Sequence, residues 1–132
     1  MTTVLFACVH NAGRSQMAAA FFNALANPAR ARGVSAGTDP AAHVHPEVVE
    51  VMREVGIEVE GAVPQRLTEE LAHSANMLVT MGCGETCPVV PGAKRLDWEL
   101  QDPKGQDLDH VRAIRDIVKD HVTRLIRDEG LR

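Results

Sequence analysis

The stretch CVHNAGRS, residues 8–15, sets a cysteine six positions before an arginine, and these two residue types at this spacing could do chemistry together. A thiolate at Cys8 is a nucleophile. The Arg14 guanidinium can hold two oxygens of a tetrahedral oxyanion in a planar fork, which the point charge of a lysine cannot do. If Val9, His10, Asn11, Ala12 and Gly13 turn tightly between them, successive backbone N–H groups point inward. They then form a nest for an anion at the N-terminus of a following helix. Gly13 is expected to relieve the strain of that turn. Ser15 is expected to cap the helix and to donate a hydrogen bond to the sulfur. The positive field of such a cradle favours a thiolate at its floor. A C-x5-R pattern alone also arises by chance, where a buried cysteine merely ends a strand, so its meaning depends on what lies on either side.

What lies on either side fits the chemistry. Residues 3–8 (TVLFAC) form a short, continuous, β-branched run that reads as a buried strand, and Ser15 to about Asn27 reads as an Ala-rich helix stopped before Pro28. A short strand over Gly33-Val-Ser-Ala closes on Gly37. Pro46 opens a second helix with Val48, Val49, Met52 and Val55 as its apolar stripe and Gly56 as its stop. Residues 67–73 suggest a short helix, 76–81 (NMLVTM) another buried strand, and 94–98 a weaker one. From Asp107 to about Asp128, Leu108, Val111, Ile114, Val118, Val122 and Leu125 recur at helical spacing, with Gly130 beyond them. Alternating strands and helices predict a three-layer α/β domain with a four-stranded parallel sheet covered on both faces. Ligands bind beyond the carboxyl ends of such strands, where Cys8 and Cys83 both fall. The Pro- and Gly-rich region 82–105 is long and irregular, as functional loops are.

Length and composition set the bounds. At 132 residues the chain is expected to be a single domain, and its 45% hydrophobic and 24% charged residues are ordinary for a soluble globular protein. A net charge of −4 argues against a broad nucleic-acid or membrane surface. No apolar run reaches a membrane span, and no signal-peptide pattern opens the chain, so a cytoplasmic protein is expected. Three cysteines, Cys8, Cys83 and Cys87, are too few and odd in number for a secreted disulfide framework. Cys83-Gly-Glu-Thr-Cys87 lacks the usual zinc spacing and a matching second pair, so no metal is expected there. His43 and His45 read as isolated surface histidines. Asp102-Pro103-Lys104-Gly105 is by itself a common turn sequence, and Asp97, Glu99 and Asp107 compete with Asp102 for any proton-donating role.

The motif CVHNAGRSQMA resembles the signature loop of the low-molecular-weight phosphatase superfold, which is flavodoxin-like, and in detail the arsenate reductases built on it. The likeness extends through Ser35-Ala-Gly-Thr38, Pro46 with its helix to Gly56, Val79 to Cys83, Cys87-Pro88, and Trp98 with Asp102-Pro103. It implies a general acid at Asp102, protonating the departing oxygen. It further implies a relay in which Cys8 attacks arsenate, Cys83 attacks Cys8 as arsenite leaves, and Cys87 then attacks Cys83. The reductant would be thioredoxin, or a low-molecular-weight thiol with a glutaredoxin-like partner. No bound cofactor is implied, and phosphate or sulfate would compete for the cradle. The alternative is a phosphatase acting on phosphotyrosine or small phosphate esters. Phosphatases of this fold carry aromatic residues after the Asp-Pro, where this chain has Lys104 and Gly105 and no tyrosine anywhere. The chain departs from thioredoxin-coupled reductases in the short Cys83–Cys87 spacing, in Gly13 where they carry a cysteine, and in Ala19 where some carry a potassium-binding carboxylate. Gly82 and Gly84 are expected to act as hinges that bring Cys83 to Cys8.

Overall fold

The computed structural model of the chain describes residues 1–82 and 90–132. Four strands, β1 (Thr2–Cys8), β2 (Ala31–Gly37), β3 (Met77–Thr80) and β4 (Lys94–Asp97), form one sheet in the order β2-β1-β3-β4. Every pairing is parallel. β1 is flanked by strands on both edges and by helices on both faces, which is why it reads as an unbroken apolar run. Its side chains alternate. Val4, Phe6 and Cys8 join the larger core with helices α1 (Arg14–Leu25), α2 (Pro46–Arg53) and, numbered in chain order, α4 (Leu108–Asp128). Leu5 and Ala7 face a smaller cluster with Ala72 of α3 (Glu69–His73). Phe6, Phe22, Met17, Val48 and Val122 are fully buried, each large side chain contributing ~1.5–3 kcal/mol before the entropy of ordering is subtracted.

Register sets the strand ends side by side. Cys8 pairs with Gly37, Ala7 with Thr80, and Thr80 with Asp97, so the carboxyl ends of all four strands share one edge. The 98–105 segment starts from that edge, where the Trp98 N–H donates to the Thr80 carbonyl at 2.8 Å. The Trp98 ring is wedged between Phe6 and His121, stacking on the latter at 4.9 Å between centroids.

Two local expectations are corrected. α1 begins at Arg14 with Gly13 at its cap position and no side-chain cap bond, so Ser15 lies inside the first turn rather than capping it. In α2 the buried stripe is Val48, Val51 and Met52, while Val55 is 39% exposed. The last helical residue is Arg53, and the chain turns out through Gly56 at φ +80°, carrying Val55 off the apolar face. At the other end α4 is capped by Asp107, whose carboxylate accepts from the His110 N–H.

Candidate active site

The loop after β1 owes its shape to where its carbonyls go. Each carbonyl from Cys8 to Gly13 has a donor. Cys8 O accepts from Thr38 N, Val9 O from Asp39 N, His10 O from Ala41 N and Ala12 O from His45 N, at 2.8–3.2 Å. Asn11 O takes the Gln16 side-chain amide at 3.0 Å, and Gly13 O the Met17 N–H that starts α1. The carbonyl acceptors are thus tied to residues 38–45 and to α1. On the side of the sulfur, Asn11 N donates to Cys8 Sγ at 3.3 Å.

Asn11 is the hub of this arrangement. It has φ +50°, a left-handed conformation that asparagine tolerates better than most residues. Its Oδ1 accepts from Gln65 N at 3.0 Å and from Gln16 Nε2 at 3.3 Å, which fixes its amide orientation, and its Nδ2 donates to Ser15 Oγ at 2.7 Å. That hydroxyl lies 2.8 Å from the Cys8 sulfur, and either group can donate to the other; with Cys8 as a thiolate the hydroxyl is the donor. Cys8 is a free thiol, 2% exposed, at the floor of the loop. The turn's unusual backbone is thus at Asn11. Gly13 has φ −139°, and its smallness matters for space instead: a Cβ there would come within 2.6 Å of the Pro103 ring.

Arg14 is buried, its guanidinium spanning to the long loop. Nη1 donates to the Leu100 carbonyl at 3.3 Å, and Nη2 lies 3.7 Å from Asp102 Oδ2. Gly82, at φ +93°, sits so close that a Cβ would meet Arg14 Nη1 at 2.5 Å, so a side chain there would displace the fork. Asp102 Oδ1 accepts from Lys104 N at 3.0 Å, which orients the carboxyl within its turn.

The competing carboxylates are engaged elsewhere. Asp97 is hydrogen-bonded by the Thr80 hydroxyl and by Arg95, contacts that hold its carboxyl below the usual range and favour the ionised form. Asp107, held low by the His110 backbone and ring, is spent on the α4 cap. Glu99 is exposed. Sequence reasoning missed His45. It is half-buried, and its pKa is lowered from 6.5 by that burial, against the opposing pull of the Asp102 and Glu47 carboxylates and with the help of Lys104 and His10. His43 is exposed, as expected. Cys83, Gly84 and Cys87 lie outside the described residues. Among the described residues no group of His, Cys, Asp and Glu side chains gathers to hold a metal, and no helix is long and apolar enough to cross a membrane.

Cys8 at the end of β1 is thus followed by a tight loop and by the buried Arg14 of α1, whose guanidinium lies 3.7 Å from the Asp102 carboxyl. The family model for low molecular weight phosphotyrosine protein phosphatases matches residues 3–131. The chain belongs to that family. It is 39% identical over 128 residues to a Halobacterium salinarum protein provisionally named an arsenate reductase, covering 91% of this chain and 87% of that one. It is 33% identical over 129 residues to the glutaredoxin arsenate reductase of Synechocystis, covering 96% and 97%. A thioredoxin-dependent arsenate reductase of Corynebacterium glutamicum superposes with a TM-score of 0.85 at 38% identity, over 97% of this chain and 61% of that one. The four-stranded parallel sheet and the family expected from the sequence are therefore both found.

Proposed function

We propose that this chain reduces arsenate to arsenite. The observation that carries the reading is the outward tethering of every carbonyl from Cys8 to Gly13 around a buried thiol, which builds a cradle for a small tetrahedral oxyanion. The residues proposed to hold that oxyanion are the backbone of Val9, His10, Asn11, Ala12 and Gly13, with the Arg14 fork. Relatives named as arsenate reductases at 33% and 39% identity support arsenate as that anion.

In the proposed reaction the Cys8 thiolate attacks arsenic, and Asp102 gives a proton to a departing oxygen, which leaves as water. The Ser15 hydroxyl stabilises the thiolate before attack and again when it becomes a leaving group. Cys83 then attacks the Cys8 sulfur. The sulfur–arsenic bond breaks with its electron pair going to arsenic, arsenic(V) becomes arsenic(III), and two thiols become a Cys8–Cys83 disulfide. Cys87 attacks Cys83, freeing Cys8 and moving the disulfide to Cys83–Cys87. A dithiol such as thioredoxin, or a low-molecular-weight thiol with a glutaredoxin-like protein, returns the two electrons. The chain acts in this reading as one cytoplasmic domain with no bound cofactor.

A second reading, hydrolysis of phosphate monoesters, is favoured by the family match itself. Against it stand the exposed Lys104 and Gly105, which offer no aromatic wall to an aryl ester. Arsenate-dependent NADPH oxidation with thioredoxin and its reductase, or with a low-molecular-weight thiol and glutaredoxin, should proceed with arsenite as product. Aryl-phosphate hydrolysis without arsenite formation would transfer the site to the phosphatase reading. In the first chemical step Asp102→Asn should be slower by ~10²–10⁴-fold, the usual span of general-acid catalysis.

A further inference from the structure

The acid-bearing loop is anchored on both sides of Asp102. Before it, the Leu100 carbonyl is held by Arg14 Nη1. After it, Pro103 is buried while Gln101, Asp102, Lys104 and Gly105 around it are all exposed, so one ring fixes an otherwise solvated turn. The place that ring occupies is built by two residues. Above Gly13, a Cβ would lie 2.6 Å from Pro103 Cγ and 3.2 Å from its Cδ, so the ring rests directly on the glycine backbone. The same point lies 3.6 Å from His45 Cδ2, so the imidazole also borders that space. His45 is itself fixed, its N–H donating to the Ala12 carbonyl and its carbonyl accepting from Val48 and Val49 as α2 begins.

We propose that Gly13 and His45 form a seat for Pro103 that sets Asp102 at the rim of the anion cradle, which makes both of them positioning residues for the proton-transfer step. The proposal rests on the reading of Asp102 as the acid. Any side chain at position 13 must push the ring outward by about an ångström to reach ordinary contact, and a shift of that size in a reacting group can cost ~10²-fold in rate. The anion is gripped by backbone amides and Arg14, and these do not depend on the ring. The seat therefore governs the rate of the first step and leaves anion affinity alone.

The test is a double-mutant cycle read in single turnover, with all three cysteines present. Arsenite release would be measured for Gly13→Ala, Asp102→Asn and the pair, and phosphate affinity from protection of Cys8 against iodoacetamide. Gly13→Ala should slow the first turnover by ~10²-fold and should add nothing to Asp102→Asn, because an acid already lost cannot be displaced. Pro103→Ala, which removes the ring and replaces no residue of the cradle, should slow the first turnover in the same non-additive way with phosphate affinity unchanged, even if Gly13→Ala folds poorly. His45→Ala should show a smaller loss of the same kind, with His45→Gln recovering part of it by refilling the space. Rate and phosphate affinity falling by the same factor in Pro103→Ala would show that the ring supports the cradle itself and overturn the seat. Losses that multiply in the pair, or a full rate in both Gly13→Ala and Pro103→Ala, would overturn it too. A wild-type rate in Asp102→Asn alone would instead refute the acid, a failure that this one variant identifies.

Discussion

Asn11 concentrates more of the site's geometry than the nucleophile does. Its side chain joins the Cys8 loop to Ser15, Gln16 and Gln65, and its backbone takes the one left-handed non-glycine conformation found among the described residues. Asn11→Ala would place a Cβ-bearing residue without a compensating amide at φ +50° and leave the Gln65 N–H and the buried Ser15 hydroxyl each short of a partner. A stability loss of about 2–3 kcal/mol is expected in urea unfolding, together with loss of phosphate protection of Cys8. His45 supplies a second residue-scale expectation. Burial lowers its pKa below 6.5, so the folded state disfavours the imidazolium. The unfolded chain then binds more protons in the window just below 6.5. Its contribution to stability is whole above that value and is lost as pH falls through the lowered folded value. An NMR titration should give a midpoint under 6.5 for His45, and His45→Gln should remove this part of the acid-side loss of stability. A midpoint at or above 6.5 would contradict the burial of the His45 ring.

At the scale of elements, the strands place the chemistry and the helix starts hold it. β1 ends on Cys8 at the same edge as Gly37, Thr80 and Asp97, and α1 starts at once after the loop, so its first turn carries both Arg14 and Ser15. That is why Ser15 does not cap: a residue inside the first turn points its hydroxyl back toward the sulfur, and Gly13 takes the cap position. α4 shows the contrasting case. Asp107 caps it, and a capping aspartate changed to alanine typically costs about 1 kcal/mol. Asp107→Ala should therefore lower the melting temperature while leaving the single-turnover rate of arsenite release intact. A rate loss as large as that of Asp102→Asn would return the proton-donating role to the α4 cap.

For the molecule as a whole, the proposed reaction needs three thiols from two distant parts of the chain. In the relay, Cys83→Ser should stop after the Cys8 adduct forms, since no internal thiol can attack it. Cys87→Ser should go one step further, releasing one arsenite per enzyme and accumulating a Cys8–Cys83 disulfide that mass spectrometry can map. A phosphatase would leave both variants fully active on an aryl phosphate, and a simple thiol sensor would form disulfides with peroxide yet release no arsenite. Sustained turnover of Cys83→Ser with thioredoxin alone would refute the relay, whereas turnover that requires an added small thiol would favour the thiol-coupled route.

Local sequence determined the parts whose physics is local. A β-branched apolar run reads as a buried strand, an Ala-rich segment after a tight turn reads as a helix, and a cysteine and an arginine flank that turn. The α4 stripe from Leu108 to Leu125 was legible for the same reason, as was the short helix behind Thr68. Tertiary structure decided everything that depends on segments distant in sequence. Residues 38–45 hold the loop's carbonyls, Gln65 orients Asn11, Leu100 and Gly82 fix the Arg14 fork, and Pro103 finds its place on Gly13. None of these pairings leaves a periodic or compositional trace, because a hydrogen bond or a van der Waals contact across 30 to 90 residues depends only on where the sheet register brings the chain. Pattern names the reacting atoms, and packing sets the distances at which they can react.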